Sequence, residues 1–253
     1  MISRRIIPLF LLRGSRLVKG TRFGGPFTDV GDPLSQAMIY DAQGAEEIAI
    51  VDIDAQREGR SIAPELINRM IRKCRLPIAA GGGLRSIRDA QSCFAAGADK
   101  IIINTQAVLR PEFITELATE FGAQSVMVSV DVRQVGGVYR VFTGSGTVLS
   151  DRPLEPLLDE LVERGAGEIL LTGIDREGTL SGVDLDLYRR LAARLSVPLI
   201  ASGGLGSYDQ MVALFQQTEC AACALGKMLA LRDYDIVRIK AYLKGRKIPV
   251  REA

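Results

Sequence analysis

An alternation repeated eight times along the chain constrains its fold more than any other feature. Short apolar, β-branched runs occur at Ile6–Leu12, Ile48–Ile53, Ile78–Ala80, Lys100–Ile103, Ser125–Val132, Ile169–Gly173, Leu199–Ala201 and Ala221–Leu225. Amphipathic segments lie between them, at Pro64–Cys74, Ile87–Ala96, Pro111–Phe121, Leu154–Arg164, Leu185–Leu195, Tyr208–Gln217 and Asp235–Lys244. Runs that stay apolar at consecutive positions belong to strands covered on both faces, which is the signature of a parallel sheet. Eight strand–helix units favour a closed α/β barrel over an open doubly wound sheet. A (β/α)₈ (TIM) barrel takes about 250 residues, and the 253 residues here match one such domain spanning 1–253.

The chain also repeats itself. Ala45-Glu46-Glu47-Ile48 through Ile53-Asp54 matches Ala166-Gly167-Glu168-Ile169 through Ile174-Asp175, and Pro77 through Leu84 matches Pro198 through Leu205. Both matches have the same offset, close to half the chain. A constant offset points to two similar half-barrels sharing one core.

Active groups of such barrels gather where the strands end. Gly81-Gly82-Gly83 follows the third strand and Ser202-Gly203-Gly204 the seventh, while Asn104-Thr105 and Gly226-Lys227 follow the fourth and eighth. Glycine turns either make tight strand–helix connections or let backbone N–H groups approach a phosphate. Two related turns predict a phosphate at Gly82, Gly83, Asn104 and Thr105, and a second at Gly203, Gly204, Gly226 and Lys227. The ligand is then a small molecule phosphorylated at both ends. Asp131 ends the fifth strand, Asp52 and Asp54 the second, and Asp175 with Glu177 follows the sixth. Carboxylates at strand ends suit general acid–base work, or else cap helices and pair with loop cations. Two longer connections, Gly14 to Asp32 and Val132 to Pro153, would overhang the same face, the second with a small hairpin around Val138–Phe142.

At the other end, Arg5, Glu47, Lys100 and Glu168 stand at or just before strand starts. They would meet at the barrel floor as two acids and two bases, able to form a neutral ring that plugs it. The chain has no histidine, which excludes Ser-His-Asp and Cys-His machinery and histidine metal sites. A formal charge of +2 argues against a nucleic-acid binder. Cys74, Cys93, Cys220 and Cys223 are too scattered for a disulfide scaffold, and the Cys220/Cys223 pair falls in an apolar run. Arg4-Arg5 before Ile6–Leu12 superficially mimics a signal peptide, but Pro8 interrupts the run. No run reaches the ~18 apolar residues of a membrane span, and the expectation is a cytoplasmic protein without metal or organic cofactor.

Over essentially its whole length the chain resembles the cyclase subunit of imidazole glycerol phosphate synthase, the HisF family. The resemblance is carried by Arg5-Ile6-Ile7-Pro8, Val18-Lys19-Gly20, Gly31-Asp32-Pro33, Gly81 through Ser86, Gly97-Ala98-Asp99-Lys100, Gly165 through Thr172 and Ala201-Ser202-Gly203-Gly204. It implies a glutaminase (HisH-like) subunit docked on the N-terminal face of the barrel. Ammonia from that subunit would enter through a gate formed by Arg5, Glu47, Lys100 and Glu168, and meet a bisphosphorylated ribulose compound at the mouth. Lys19, Asp175 and Glu177 would serve the substrate loops. Of the family's two catalytic aspartates, one matches Asp131; the other position holds Leu11 within Leu9-Phe10-Leu11-Leu12. Leucine cannot move a proton. Lys227 likewise stands where the family often has a small hydroxyl.

The departure at Leu11 is similar to a branch of the family found beside surface-polysaccharide genes, in which glutamine-derived ammonia passes to a separate enzyme that amidates a sugar. Three readings follow: an ammonia-channelling partner in sugar amidation, a working cyclase (a lyase) of histidine biosynthesis, and a non-catalytic phosphate-ligand scaffold.

Overall fold

A computed structural model describes residues 3–231 and 234–252. From the N-terminus the order is β1 (Arg5–Arg13), β2 (Arg16–Thr21), β3 (Gly24–Gly31), α1 (Pro33–Ala42), β4 (Ile48–Asp52), α2 (Pro64–Ile71), β5 (Ile78–Gly81), α3 (Ile87–Ala95) and β6 (Lys100–Ile103). Next come α4 (Thr105–Leu109), α5 (Glu112–Phe121), β7 (Val126–Val135), β8 (Val138–Thr143), β9 (Val148–Pro153), α6 (Leu154–Glu163) and β10 (Glu168–Gly173). The order ends with α7 (Leu185–Arg194), β11 (Leu199–Ser202), α8 (Tyr208–Gln217), β12 (Ala222–Leu225), α9 (Lys227–Leu231) and α10 (Ile236–Gly245).

Parallel pairing runs β1–β4–β5–β6–β7–β10–β11–β12 and returns to β1, closing a (β/α)₈ barrel. The repeated blocks occupy equivalent places: Ile48 pairs with Ile78 across β4–β5, and Ile169 with Leu199 across β10–β11. Ser86 and Ser207, equivalent under the repeat, each accept a backbone N–H at the start of α3 and α8. A hydroxyl there satisfies one of the donors that a helix N-terminus leaves open.

Strand alternation sorts the apolar residues into two cores. Ile6, Phe10, Ile50, Ile101 and Val128 face the helices, while Ile7, Leu9, Ala49, Ile102, Met127, Leu170 and Ile200 fill the barrel. Each fully buried side chain of this size contributes roughly 1.5–3 kcal/mol of transfer free energy. Four inner positions are alanines, Ala49, Ala79, Ala222 and Ala224, so the inner core is filled more thinly than the outer one.

Three features differ from the sequence expectation. The connection from Gly14 to Asp32 is an antiparallel hairpin, β2–β3, and it leads into α1, which the hydrophobic pattern did not reveal. Met38 and Ile39 of α1 are exposed, which blurs its amphipathic stripe; Asp32 caps it through Ser35 N. The expected hairpin near Val138–Phe142 is larger, because β7 continues past the barrel rim to Val135 and pairs with β8, which pairs with β9. Ser125 falls in a short 3₁₀ turn rather than in the strand. No helix of the described residues is long and apolar enough to cross a membrane.

Candidate functional site

Alternation along β7 turns Ser129 and Asp131 into the barrel and Val130 and Val132 outward onto the helices. Asp131 is 6% exposed. Its Oδ2 accepts a hydrogen bond from Asn104 Nδ2 at 2.9 Å, and the same amide reaches Ser129 O at 3.1 Å. Burial pushes the Asp131 carboxyl up to about 7, opposed by the Asn104 bond and reinforced by the charge of Glu177. A carboxyl poised there can take or give a proton near neutrality. Leu11, half-buried on β1, packs against the inner core beside Val51.

Lys19 crosses from β2 to donate to Leu9 O at 2.6 Å and is 4% exposed. Burial lowers its ammonium to about 8, against the opposing pull of Glu177. Its Nζ lies where a side chain on Gly226 would begin, 2.8 Å from an ideal Cβ there. Burial raises the Glu177 carboxyl, and Lys19 and Lys227 oppose that rise. Lys227 Nζ donates to Thr21 Oγ1 at 3.0 Å. Lys19, Glu177, Lys227 and Gly226 therefore gather on one side of the mouth, under the β2–β3 hairpin. The hairpin tip rests on the connection after β10: Arg22 N donates to Glu177 O at 2.8 Å and Arg22 Nε to Asp175 O at 3.0 Å.

The glycine turns after β5 and β11 have a structural requirement of their own. Gly83 and Gly204 have φ of +68° and +107°, and a Cβ on either would sit 1.9 Å from Arg60 O or 2.4 Å from Gly182 O. Neighbouring backbone alone excludes a side chain there. On the side of Gly82 and Gly83, Thr105 Oγ1 donates to Gln56 Oε1 at 2.8 Å and accepts from Gly144 N at 3.3 Å. Gly203 lies on the opposite side, lining a cavity of about 230 Å³ with Arg176 and Tyr139.

The floor is built differently. Arg5 reaches Glu47 at 2.9 Å and Glu168 at 2.8 Å; Lys100 reaches the same two carboxylates at 3.1 and 2.9 Å. Four ion pairs close a ring of alternating charge across the lumen. Its side chains are between 4% and 21% exposed. Burial raises the Glu47 carboxyl, opposed first by the charge of Lys100.

The other carboxylates at the strand ends are taken up by neighbouring groups. Asp52 follows the inward Val51, so alternation turns it outward. It pairs with Arg60 at 2.5 Å and accepts from the N–H groups of Asp54 and Ala55. Asp54 pairs with Arg13 and Arg57. Asp175 accepts from Gln134 N and pairs with Arg133 on the β7–β8 extension, and it lines the same cavity as Gly203. Two features were missed. Asn104 supports Asp131 directly, and the inward positions above Leu170 and Ile200 are the hydroxyls Thr172 and Ser202. The signal was available: a polar residue two places after an inward apolar one. Ser202 Oγ is buried and has no hydrogen-bond partner. The four cysteines are free and buried. Among the described residues no group of three or more metal-ligating side chains is assembled.

Fold and site together define a (β/α)₈ barrel with a buried carboxyl at its mouth and an ion-pair ring at its floor. The family described as "Histidine biosynthesis protein" matches residues 5–235, and the chain belongs to that family. It is 38% identical, over 99% of its own length and 100% of the relative's, to the imidazole glycerol phosphate synthase subunit HisF of Anoxybacillus flavithermus.

Proposed function

We propose that this chain is the barrel subunit of a glutamine amidotransferase complex, fed with ammonia at its floor and delivering it at its mouth for the amidation of a sugar. A HisH-like glutaminase docks on the N-terminal face. Ammonia passes the ring of Arg5, Glu47, Lys100 and Glu168, which has no net charge and favours a neutral molecule over ammonium. The ring must open to pass it, because its four ion pairs close the lumen. At the mouth, a phosphorylated ligand is held by Gly82, Gly83, Asn104 and Thr105 at one end and by Gly203, Gly204, Gly226 and Lys227 at the other, with Lys19 as a second cation. The observation that carries this reading is the contrast between an intact floor and a mouth with Leu11 opposite Asp131. One carboxyl cannot serve as both acid and base in the two-group chemistry of a cyclase.

The second reading, an active cyclase of the lyase type, is favoured by the Asn104-supported Asp131 and by the full-length match to a HisF subunit. One assay separates them. Steady-state conversion of the bisphosphorylated ribulose compound with ammonium salts is expected to run at least ~10²-fold below that of the Anoxybacillus relative, the typical contribution of one general acid or base. Leu11→Asp is expected to raise it. Equal turnover in the two proteins overturns the sugar-amidation reading.

A further inference from the structure

Above the floor the lumen changes character with height. Along each strand the inward apolar residue is followed two places on by a hydroxyl, Met127 by Ser129, Leu170 by Thr172 and Ile200 by Ser202, and on β7 Asp131 comes next; the register sets Ser129 beside Leu170 and Asp131 beside Thr172. Thr172 pairs in register with both Asp131 on β7 and Ser202 on β11, so the three side chains form one row along the inner wall. The facing wall, on β1 and β4, stays apolar at Leu9, Leu11 and Val51.

Within this row Ser202 is 0% exposed, and its Oγ finds no partner among the protein groups around it. The Tyr188 hydroxyl, on the helix side of the strand, shares its one proton between Leu171 O and Ser202 O and accepts from Ser202 N, so it serves the backbone and leaves the inward Oγ of Ser202 without a partner. A buried hydroxyl carries one donor and two acceptor positions, and such groups are normally bonded to protein or to a small bound molecule. A molecule there touches apolar layers below, which disfavours an ion. It has to be uncharged, about one heavy atom in size, and able both to accept and to donate hydrogen bonds.

We infer that Ser202, with Thr172 beside it, is a holding site for one molecule of ammonia between the apolar lower lumen and Asp131. The site rests on the proposed ammonia-carrying function, whose cargo has the required size and hydrogen-bonding pattern. The nitrogen lone pair accepts the Ser202 hydroxyl, and an N–H donates to Thr172. Ammonia leaving the apolar layers thus meets polar contacts on one wall only, the wall that leads to Asp131.

The test uses the full-length barrel with ¹³C-labelled serine and threonine, the Ser202 signal being assigned by its loss in Ser202→Ala. Ammonium chloride is titrated at a pH where ammonia is largely unprotonated, with potassium chloride as control. The expected result is a saturable shift of the Ser202 and Thr172 Cβ signals with ammonia and none with potassium. The Thr172 shift should vanish in Ser202→Ala, whose thermal midpoint verifies that it is folded. Absence of the ammonia shift, or an equal Thr172 shift in the variant, means that Ser202 holds only water and overturns the site. A second arm adds glutamine to the barrel with its glutaminase while bulk ammonia is scavenged. If bulk ammonia shifts Ser202 and glutamine does not, the site stands and the feeding of the barrel from its floor falls. If neither shifts it while ring variants still uncouple glutamine use, the site alone falls.

Discussion

The two ends of the barrel handle buried charge in opposite ways. At the floor, Glu47 and Glu168 each meet two cations, and the ring is neutral by construction. At the mouth, Asp131 is held by a neutral amide and Lys19 by a backbone carbonyl. The floor's charges are held by one another, whereas those of the mouth are held by neutral groups. Mutual pairing leaves the floor without net charge, while at the mouth burial raises the Asp131 carboxyl and lowers the Lys19 ammonium. The comparison teaches that one scaffold can hold both kinds of buried charge, because an apolar inner core lies between them.

The largest effect is expected at the ring, where Glu47 meets both cations through one oxygen, Oε2. Glu47→Gln leaves Arg5 and Lys100 sharing a single carboxylate, Glu168. Breaking a buried ion pair from one side costs about 3–5 kcal/mol. Urea unfolding of the variant should show its midpoint fall with an unchanged slope. A loss below ~1 kcal/mol would mean that the ring is solvated, and would remove the contrast with the mouth.

Asp131→Asn should act in the other direction. The folded carboxyl is raised to about 7, above the unfolded value of ~3.9. Below about pH 4 both states are protonated and the group has no effect. Between about 4 and about 7 the unfolded chain releases its proton first, so wild-type stability falls as pH rises. The variant should therefore gain on wild type through that window, by up to about 4 kcal/mol above it. Matched denaturation curves at several pH values check this; a flat difference would show Asp131 ionised at ordinary carboxylate pH.

Lys19→Met tests the second buried charge. The folded ammonium is lowered to about 8, against ~10.4 unfolded. Above about pH 10.4 both states are neutral. As pH falls from there to about 8 the unfolded chain takes up its proton first, and wild-type stability declines. The variant should gain by up to about 3 kcal/mol below pH 8 and by nothing at high pH. Gain at both extremes would point to packing of the methionine rather than to charge.

Much of this contrast was legible in the sequence. The eightfold alternation and the constant-offset repeat specify the barrel, because apolar β-branched runs and amphipathic helices are local signals. The four ring residues were legible because each stands at a strand start. What escaped depends on which way a side chain faces or on pairing between distant segments. Asp52 lies one residue beyond the inward Val51 and therefore points out to Arg60. The pairing of Asp175 with Arg133 joins segments forty-odd residues apart, through a strand extension that no periodicity marks. The β2–β3 hairpin is rich in glycine and charge, with little hydrophobic alternation to announce it.

That hairpin supplies the smallest effect and the finest test of the comparison. Its tip is held by Lys227 on Thr21 and by Arg22 on the connection after β10, all at the exposed rim. An exposed hydrogen bond of this kind contributes about 0.5–1.5 kcal/mol at most, and none of it need enter the unfolding of the barrel, whose strands and ring are elsewhere. Thr21→Val should leave the global urea midpoint within ~0.5 kcal/mol of wild type. Amide exchange of Lys19 to Phe23 should nevertheless quicken several-fold, because the tip opens locally without the core. If exchange of the ring strands β1 and β6 quickened equally, mouth and floor would be one cooperative unit. Confined to the hairpin, the change would show that the charges of the mouth are covered by a separately opening element, while those of the floor are fixed by the barrel itself.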